Sequence, residues 1–291
     1  MNALRIQGLI FSLLALLCTL AAAFLHLNDN MLLLPMLILS VLLGVPHGAL
    51  DTVFAQRLHG VHGLARWLVF ALAYLSLMAL VIVFWKTAPA LFMAGFLLIS
   101  AWHFSGDPVA GTPILSRLFY GGAILVLPAL LHSNEVGRLF AFLVAPDIAG
   151  ALTQWLHIMS WPWLFGTFIA AAIRASKDWL TGLEILATGA LALFIPPLFA
   201  FVIFFCAMHS PRHILRTWRY AGSGPVAAAQ LLWASALPLL GTLVIGIAAA
   251  FALRHLSLET AAMQILFIGL AALTVPHMVL IEQVRFSGWE K

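Results

Sequence analysis

The chain has 291 residues, 64% of them hydrophobic and only 8% charged. A water-soluble domain carries about 25% charged residues, and a folded surface needs polar cover that this sequence does not supply, so lipid is the expected solvent. The net charge of +4 does not signal nucleic acid, because the 14 Lys and Arg are scattered singly between apolar runs and form no basic stripe.

Arg5, the apolar stretch after it and Ala21-Ala22-Ala23 imitate a secretory signal peptide. More apolar segments follow, so 5–26 reads as a first spanning helix. A span needs about 20 apolar residues. Nine more candidates follow on that basis: 31–56, 66–85, 89–105, 114–132, 148–173, 179–195, 197–219, 226–253 and 260–282. Residues 136–145 are apolar but too short, and are expected at the interface or against the bundle. Asn28-Asp29-Asn30, His59-Gly60, Pro89, Pro108, Pro146, Ser176-Lys177-Asp178, Pro196-Pro197 and Gly222-Ser223-Gly224 mark the breaks. There is no long linker, low-complexity segment or convincing repeat, so 1–291 reads as a single integral membrane domain, an all-α polytopic bundle of about ten helices. With the N-terminus inside, the inner connections hold ten Lys and Arg, including Arg117, Arg174, Arg216 and Lys291. The outer ones hold Lys86, Arg138 and Arg254. That asymmetry predicts an N-in, C-in topology, as an even number of spans requires. Cys18 and Cys206 lie in apolar runs and match neither a metal motif nor a disulfide framework.

Ionisable groups inside spans are costly and are functional candidates. Of the 11 histidines, His26, His59, His62, His132 and His255 fall at connections, and His157 reads as a packing residue in the sixth span. The other five are His47 on the second span, His103 on the fourth, His209 and His213 on the eighth, and His277 on the tenth. These spans all run from outside to inside, and each histidine falls toward the cytoplasmic end. The five therefore share roughly one depth, the arrangement that a metal site in a bundle core needs. His209 and His213 are one helical turn apart, so both can face one centre. Pro211 between them predicts either a kink or a new helix capped by Ser210. Asp51 lies four residues after His47, and Asp107 four after His103, so on regular helices each carboxylate would lie near its own histidine. Ligand histidines usually give their other N–H to such a group. The alternative for both is contact with water at a helix end, and it weighs most at Asp107, next to Pro108. Gly44, Pro46, Gly48, Gly106, Pro108 and Pro276 break the backbone around the same residues.

Histidine ligands without cysteine suit iron, copper, zinc or nickel. Four histidines with open positions suit Fe(II) activating O₂ on an apolar substrate, and the 21 Phe and 10 Trp include Trp102 and Phe104 beside His103. A diiron desaturase would need about twice as many ligands in dense boxes, and a bis-histidine haem needs ligands paired across two helices. A divalent-metal transporter is the serious rival. It favours ligands staggered along a path rather than at one depth.

GVPHGALD at 44–51, WHFSGD at 102–107, FFCAMHSPRH at 204–213 and TVPHMVLIE at 274–282 resemble the Brp/Blh family of bacteriorhodopsin-related membrane β-carotene 15,15′-dioxygenases. The resemblance runs in order from the second span to the tenth. It implies a multi-pass enzyme of the inner (plasma) membrane, non-haem Fe(II), and cleavage of the central double bond of β-carotene by O₂ into two retinals, with hand-over of retinal to a rhodopsin-type protein. By motif matching, His47, His103, His209 and His213 are the expected ligands, with Asp51 and Asp107 behind them. His277 has three competing roles: fifth ligand, polar lining of the oxygen side, or packing hydrogen bond. A catalytic metal needs open positions, which favours four ligands with His277 as a catalytic residue close by. Thr52 departs from the family pattern, in which histidine is common at that position. So does Ser105-Gly106-Asp107, where Gly followed by acidic residues is more usual.

Overall fold

The computed structural model describes residues 2–22, 35–36 and 38–287, and no β-strand occurs among them. The helices are α1 (Ala3–Ala22), α2 (Pro46–Ala49), α3 (Asp51–His59), α4 (Leu64–Thr87), α5 (Pro89–Phe104), α6 (Ile114–Val126) and α7 (Pro128–Leu131). They continue with α8 (Ser133–Ala141), α9 (Pro146–Ala175), α10 (Trp179–Phe194), α11 (Pro197–Phe204), α12 (Ser210–Tyr220), α13 (Gly224–Ala252) and α14 (Leu258–Ser287). Two π-helical turns, Ser40–Gly44 and Phe205–His209, precede α2 and α12. Among the described residues, seven helices are long and apolar enough to cross a membrane. The spans expected at 89–105 and 179–195 are shorter apolar helices of 16 residues each. The candidate at 31–56 is broken into the first π turn, α2 and α3 where it is described. The short segment at 136–145 overlaps α8. His26, the Asn28-Asp29-Asn30 break and Lys291 lie outside the described residues.

Lipid explains the surface. None of the 24 residues of α4 is buried, and Leu64, Trp233 and Leu258 are 77%, 82% and 81% exposed. Apolar side chains displayed in this way have no stable partner in water, whereas a helix satisfies its own backbone in hydrocarbon. This is a membrane protein.

The described residues group into two compact units, one within Met1–Ser40 and Ala94–Arg212, the other within Val41–Met93 and His213–Lys291. In the first, α1 lies on α10, and α9 packs against α6, α8 and α10. Val126, Ala129, Val136 and Leu156 form one of its apolar clusters. Arg5 at the start of α1 pairs with Asp178 at 3.1 Å just before α10. Burial alone would raise the Asp178 carboxyl, but the Thr181 hydroxyl and Arg5 outweigh it and hold the group below its ordinary value. In the second unit, α14 packs against α4 and α3, and α13 against α2. Phe54, Leu280, Ile281 and Val284 form a core there, with Tyr220 stacked on Phe54.

Eight of the arginines expected in inner connections lie within the ends of described helices: Arg5, Arg57, Arg66, Arg117, Arg219 and Arg285, together with Arg174 and Arg216. The last two are buried. Each sits near a helix end, where a long side chain can reach polar backbone.

Candidate metal centre

All five singled-out histidines are buried, at 2–8% exposure. His59, His62 and His255 are exposed, and the exposed His157 ring bonds to the Ala129 carbonyl at 2.8 Å, a packing role.

In the first unit, the histidine-bearing segment follows from proline. Pro211 has no N–H, and its ring crowds the carbonyl four residues back. The chain answers with the π turn Phe205–His209, in which the Ser210 N–H donates to the Phe205 carbonyl. The helix therefore neither breaks nor restarts at Ser210. It widens, and Pro211 falls in the first turn of α12. The carbonyl of Ala207, four residues before Pro211, accepts a hydrogen bond from the Gln7 amide on α1 at 2.8 Å. His209 donates from Nδ1 to Asp107, with both carboxylate oxygens at 3.0–3.1 Å. Its ring stacks on Phe205, meets Phe104 edge-on, and lies with its centre 4.6 Å from that of His103.

The loop that carries Asp107 is held by arginines. Arg117 donates to the carbonyls of Thr112, Ser105, Gly106 and Val109. Arg174 reaches Gly111, and Arg212 reaches the Asp107 carbonyl at 3.1 Å. Arg212 also forks onto Glu184 at 2.6 and 2.9 Å.

In the second unit, His47 sits on α2, just after the π turn Ser40–Gly44 and Pro46, and its Nδ1 donates to the Gly44 carbonyl. His277 follows Pro276 inside α14 and donates from Nδ1 to Asp51 at 2.7 Å. The other Asp51 oxygen accepts from the Tyr74 hydroxyl at 2.9 Å. The ring centres of His47, His213 and His277 are 5.0–5.3 Å apart. The Thr217 hydroxyl lies 3.4 Å from His213 Nδ1.

Both carboxylates are thus buried against histidine rather than facing water at a helix end, but each serves a different histidine from the one expected. Asp51 holds His277, not His47, and Asp107 holds His209, not His103. The four-residue spacing brings side chains together only on a regular helix. Leu50, at φ −78° and ψ 0°, separates α2 from α3. After α5, tight turns join Gly106 to His103 and Asp107 to Phe104. Each Asp is therefore rotated away from its own histidine toward another helix.

The donor set fits a first-row divalent ion. A carbonyl or carboxylate accepts only, so His47, His209 and His277 carry their proton on Nδ1 and leave Nε2 as the lone-pair donor. With a metal–nitrogen bond of about 2.1 Å, two imidazoles on one ion have ring centres roughly 4.5–5.3 Å apart, and the ring pairs within each unit match that spacing.

Sequence reasoning missed Gln7, Tyr74, Glu184 and Arg212. Glu184 and Arg212 carried a usable signal, since each is a charged residue within an apolar span. Gln7 and Tyr74 carried none, because single neutral polar residues are ordinary in such helices.

Residues 38–285 match the family described as beta-carotene 15,15′-dioxygenase. The chain is 32% identical over 254 residues to the beta-carotene 15,15′-dioxygenase of an uncultured marine bacterium, 66A03, which covers 84% of this chain and 91% of that protein. No solved structure matches. The chain belongs to the beta-carotene 15,15′-dioxygenase family.

Proposed function

We propose that this protein cleaves the central 15,15′ double bond of β-carotene, or a related carotenoid, with O₂ to give retinal, using Fe(II). One oxygen atom goes to each carbon of the broken bond, so two aldehydes form with no added reductant or proton. The observation that carries the reading is the pair of buried carboxylate–histidine bonds, Asp107 to His209 and Asp51 to His277, in a chain of this family. His47, His103, His209 and His213 hold the ion in this reading. When bound, the iron supplies O₂ activation.

The chain's own residues do the rest. Asp107 fixes the tautomer and ring plane of His209. The Gly44 carbonyl does the same for His47. Asp51, backed by Tyr74, holds His277 beside the ligands, on the side where O₂ and the polyene approach. The apolar, lipid-bathed surface admits a substrate that is dissolved in the bilayer. The two units act as one catalytic domain, 1–291, in the plasma (inner) membrane, with ten spans counting 31–56, both ends inside, and retinal passing to a rhodopsin-type partner.

Co-expression in β-carotene-producing bacteria tests the reading. Loss of orange colour with chromatographic appearance of retinal is expected. Retained colour, together with increased uptake of a divalent metal by the cells, would establish the transporter instead.

A further inference from the structure

We propose that Gln7, Arg212 and Glu184 form a positioning device for His209, one that sets the direction of this ligand without touching the metal; the proposal rests on the reading of His209 as a ligand given above. Three observations within the first unit carry it.

The first is where the Gln7 amide goes. Its Nε2 donates to Ala207 O at 2.8 Å and to Met208 O at 3.3 Å. Both carbonyls lie in the π turn that ends on His209. Ala207 O is the acceptor that Pro211 deprives of its N–H. An unsatisfied carbonyl in a hydrocarbon environment is costly, so the Gln7 amide stabilises the turn that carries His209. The turn decides the angle at which His209 leaves the backbone.

The second is that Gln7 and Asp107 are tied to one guanidinium. Arg212 donates from Nε to Gln7 Oε1 at 2.9 Å and from Nη1 to the Asp107 carbonyl at 3.1 Å. His209 is therefore held from two sides by groups that share Arg212: its backbone through Gln7, its imidazole through Asp107.

The third is the cost accepted to keep this arrangement. Gln7, Glu184 and Arg212 are 8%, 2% and 1% exposed. A buried ion pair contributes little net stability compared with well-packed apolar side chains of the same volume. What it supplies is fixed geometry, because the planar guanidinium fork has one good way to meet a carboxylate. Gly8 makes room for it: a Cβ there would overlap Glu184 Oε1.

The test uses full-length protein in detergent, stripped of metal and titrated with Co(II), read by visible absorption, alongside thermal unfolding. Gln7→Met keeps the volume and removes both donors. Arg212→Lys keeps the charge and loses the fork. The exchange Arg212→Glu with Glu184→Arg keeps an ion pair but not its links to Gln7 and the Asp107 carbonyl. The expected result is an unfolding midpoint lowered only modestly in Gln7→Met and in the exchange, the cost of the hydrogen bonds removed, with Co(II) affinity about 10-fold lower and an altered cobalt spectrum, the size of effect typical of groups that orient a ligand. A purely structural role predicts the opposite, with the exchange restoring affinity and spectrum together with stability. That result, or an unchanged spectrum in Gln7→Met, overturns the proposal. If Arg212→Lys fails to fold, Gln7→Met decides. Equal Co(II) binding by wild type and His209→Ala would instead overturn the reading of His209 as a ligand.

Discussion

In the first unit Asp107 takes its hydrogen bond from His209, and in the second Asp51 takes its own from His277. Both carboxylates follow a different histidine by four residues, both reach across to another helix, and both meet a histidine within two residues of a proline. The surroundings then diverge. Asp107 sits in a loop held by Arg117, Arg174 and Arg212, with Glu184 behind the last. Asp51 has one neutral partner behind it, the Tyr74 hydroxyl. Hydrogen bonds from charged donors are about twice as strong as neutral ones and, through Arg, more directional. The first arm is therefore built to hold a ring in one orientation. The second is held more weakly, as suits the role proposed for His277 beside the ligands rather than on the ion.

The strongest way to break this comparison is to remove the rings. His209→Ala should lose iron and activity together, because the proposed ligand is gone. His277→Ala should retain iron, measured by elemental analysis of purified protein, and lose most retinal formation. Iron loss from His277→Ala, with retention in the packing control His157→Ala, would make His277 a fifth ligand and erase the distinction between the arms.

Removing the carboxylates is the next largest change. Asp107→Ala and Asp51→Ala should each lower iron retention or turnover by about 10–100-fold, as for other groups that orient ligands. Asp107→Ala should act mainly on iron content, and Asp51→Ala mainly on turnover. Equal loss of iron in both would show that the arms are equivalent.

These pairings mark the limit of what the sequence discloses. Runs such as 66–85 and 226–253 are readable because lipid imposes one simple rule on every residue, and α4 and α13 lie where that rule puts them. The five buried histidines are readable because charge-capable groups stand out against an apolar background. The pairing of Asp51 and Asp107 is not, because it depends on backbone angles at Leu50 and on the Ser105–Gly106 turn. Glu184 and Arg212 announce themselves as charges in spans but not as each other's partner. Gln7 lies 205 positions from the guanidinium it holds, a separation that no local pattern encodes.

Tyr74→Phe sharpens the comparison more gently. It removes one hydrogen bond to Asp51 while leaving His277 bound to the other oxygen. A hydrogen bond to a charged group contributes about 1.5–3 kcal/mol, but only part of that reaches a ring one bond removed. Turnover should fall by several-fold with iron content unchanged. A loss as large as that of Asp51→Ala would mean that the hydroxyl acts on the reaction directly.

The smallest effect is expected at Thr52, where the second unit repeats the device seen at Gln7. Pro238 interrupts α13, and the carbonyl four residues earlier belongs to Ala234. The Thr52 hydroxyl donates to that carbonyl at 3.0 Å, so one side chain heals the proline break and ties α13 to the helix that begins with Asp51. Thr52→Val keeps the shape and removes the donor. It should cost about 1–2 kcal/mol, the penalty for leaving a buried carbonyl unmet, seen as a lower unfolding midpoint with iron content intact. Pro238→Ala restores an N–H that can serve the same carbonyl within α13. In that background Thr52→Val should cost much less, and the double-mutant cycle isolates the coupling. If Thr52→Val costs the same with and without Pro238, the hydroxyl does not serve the proline-freed carbonyl, and the parallel with Gln7 is lost.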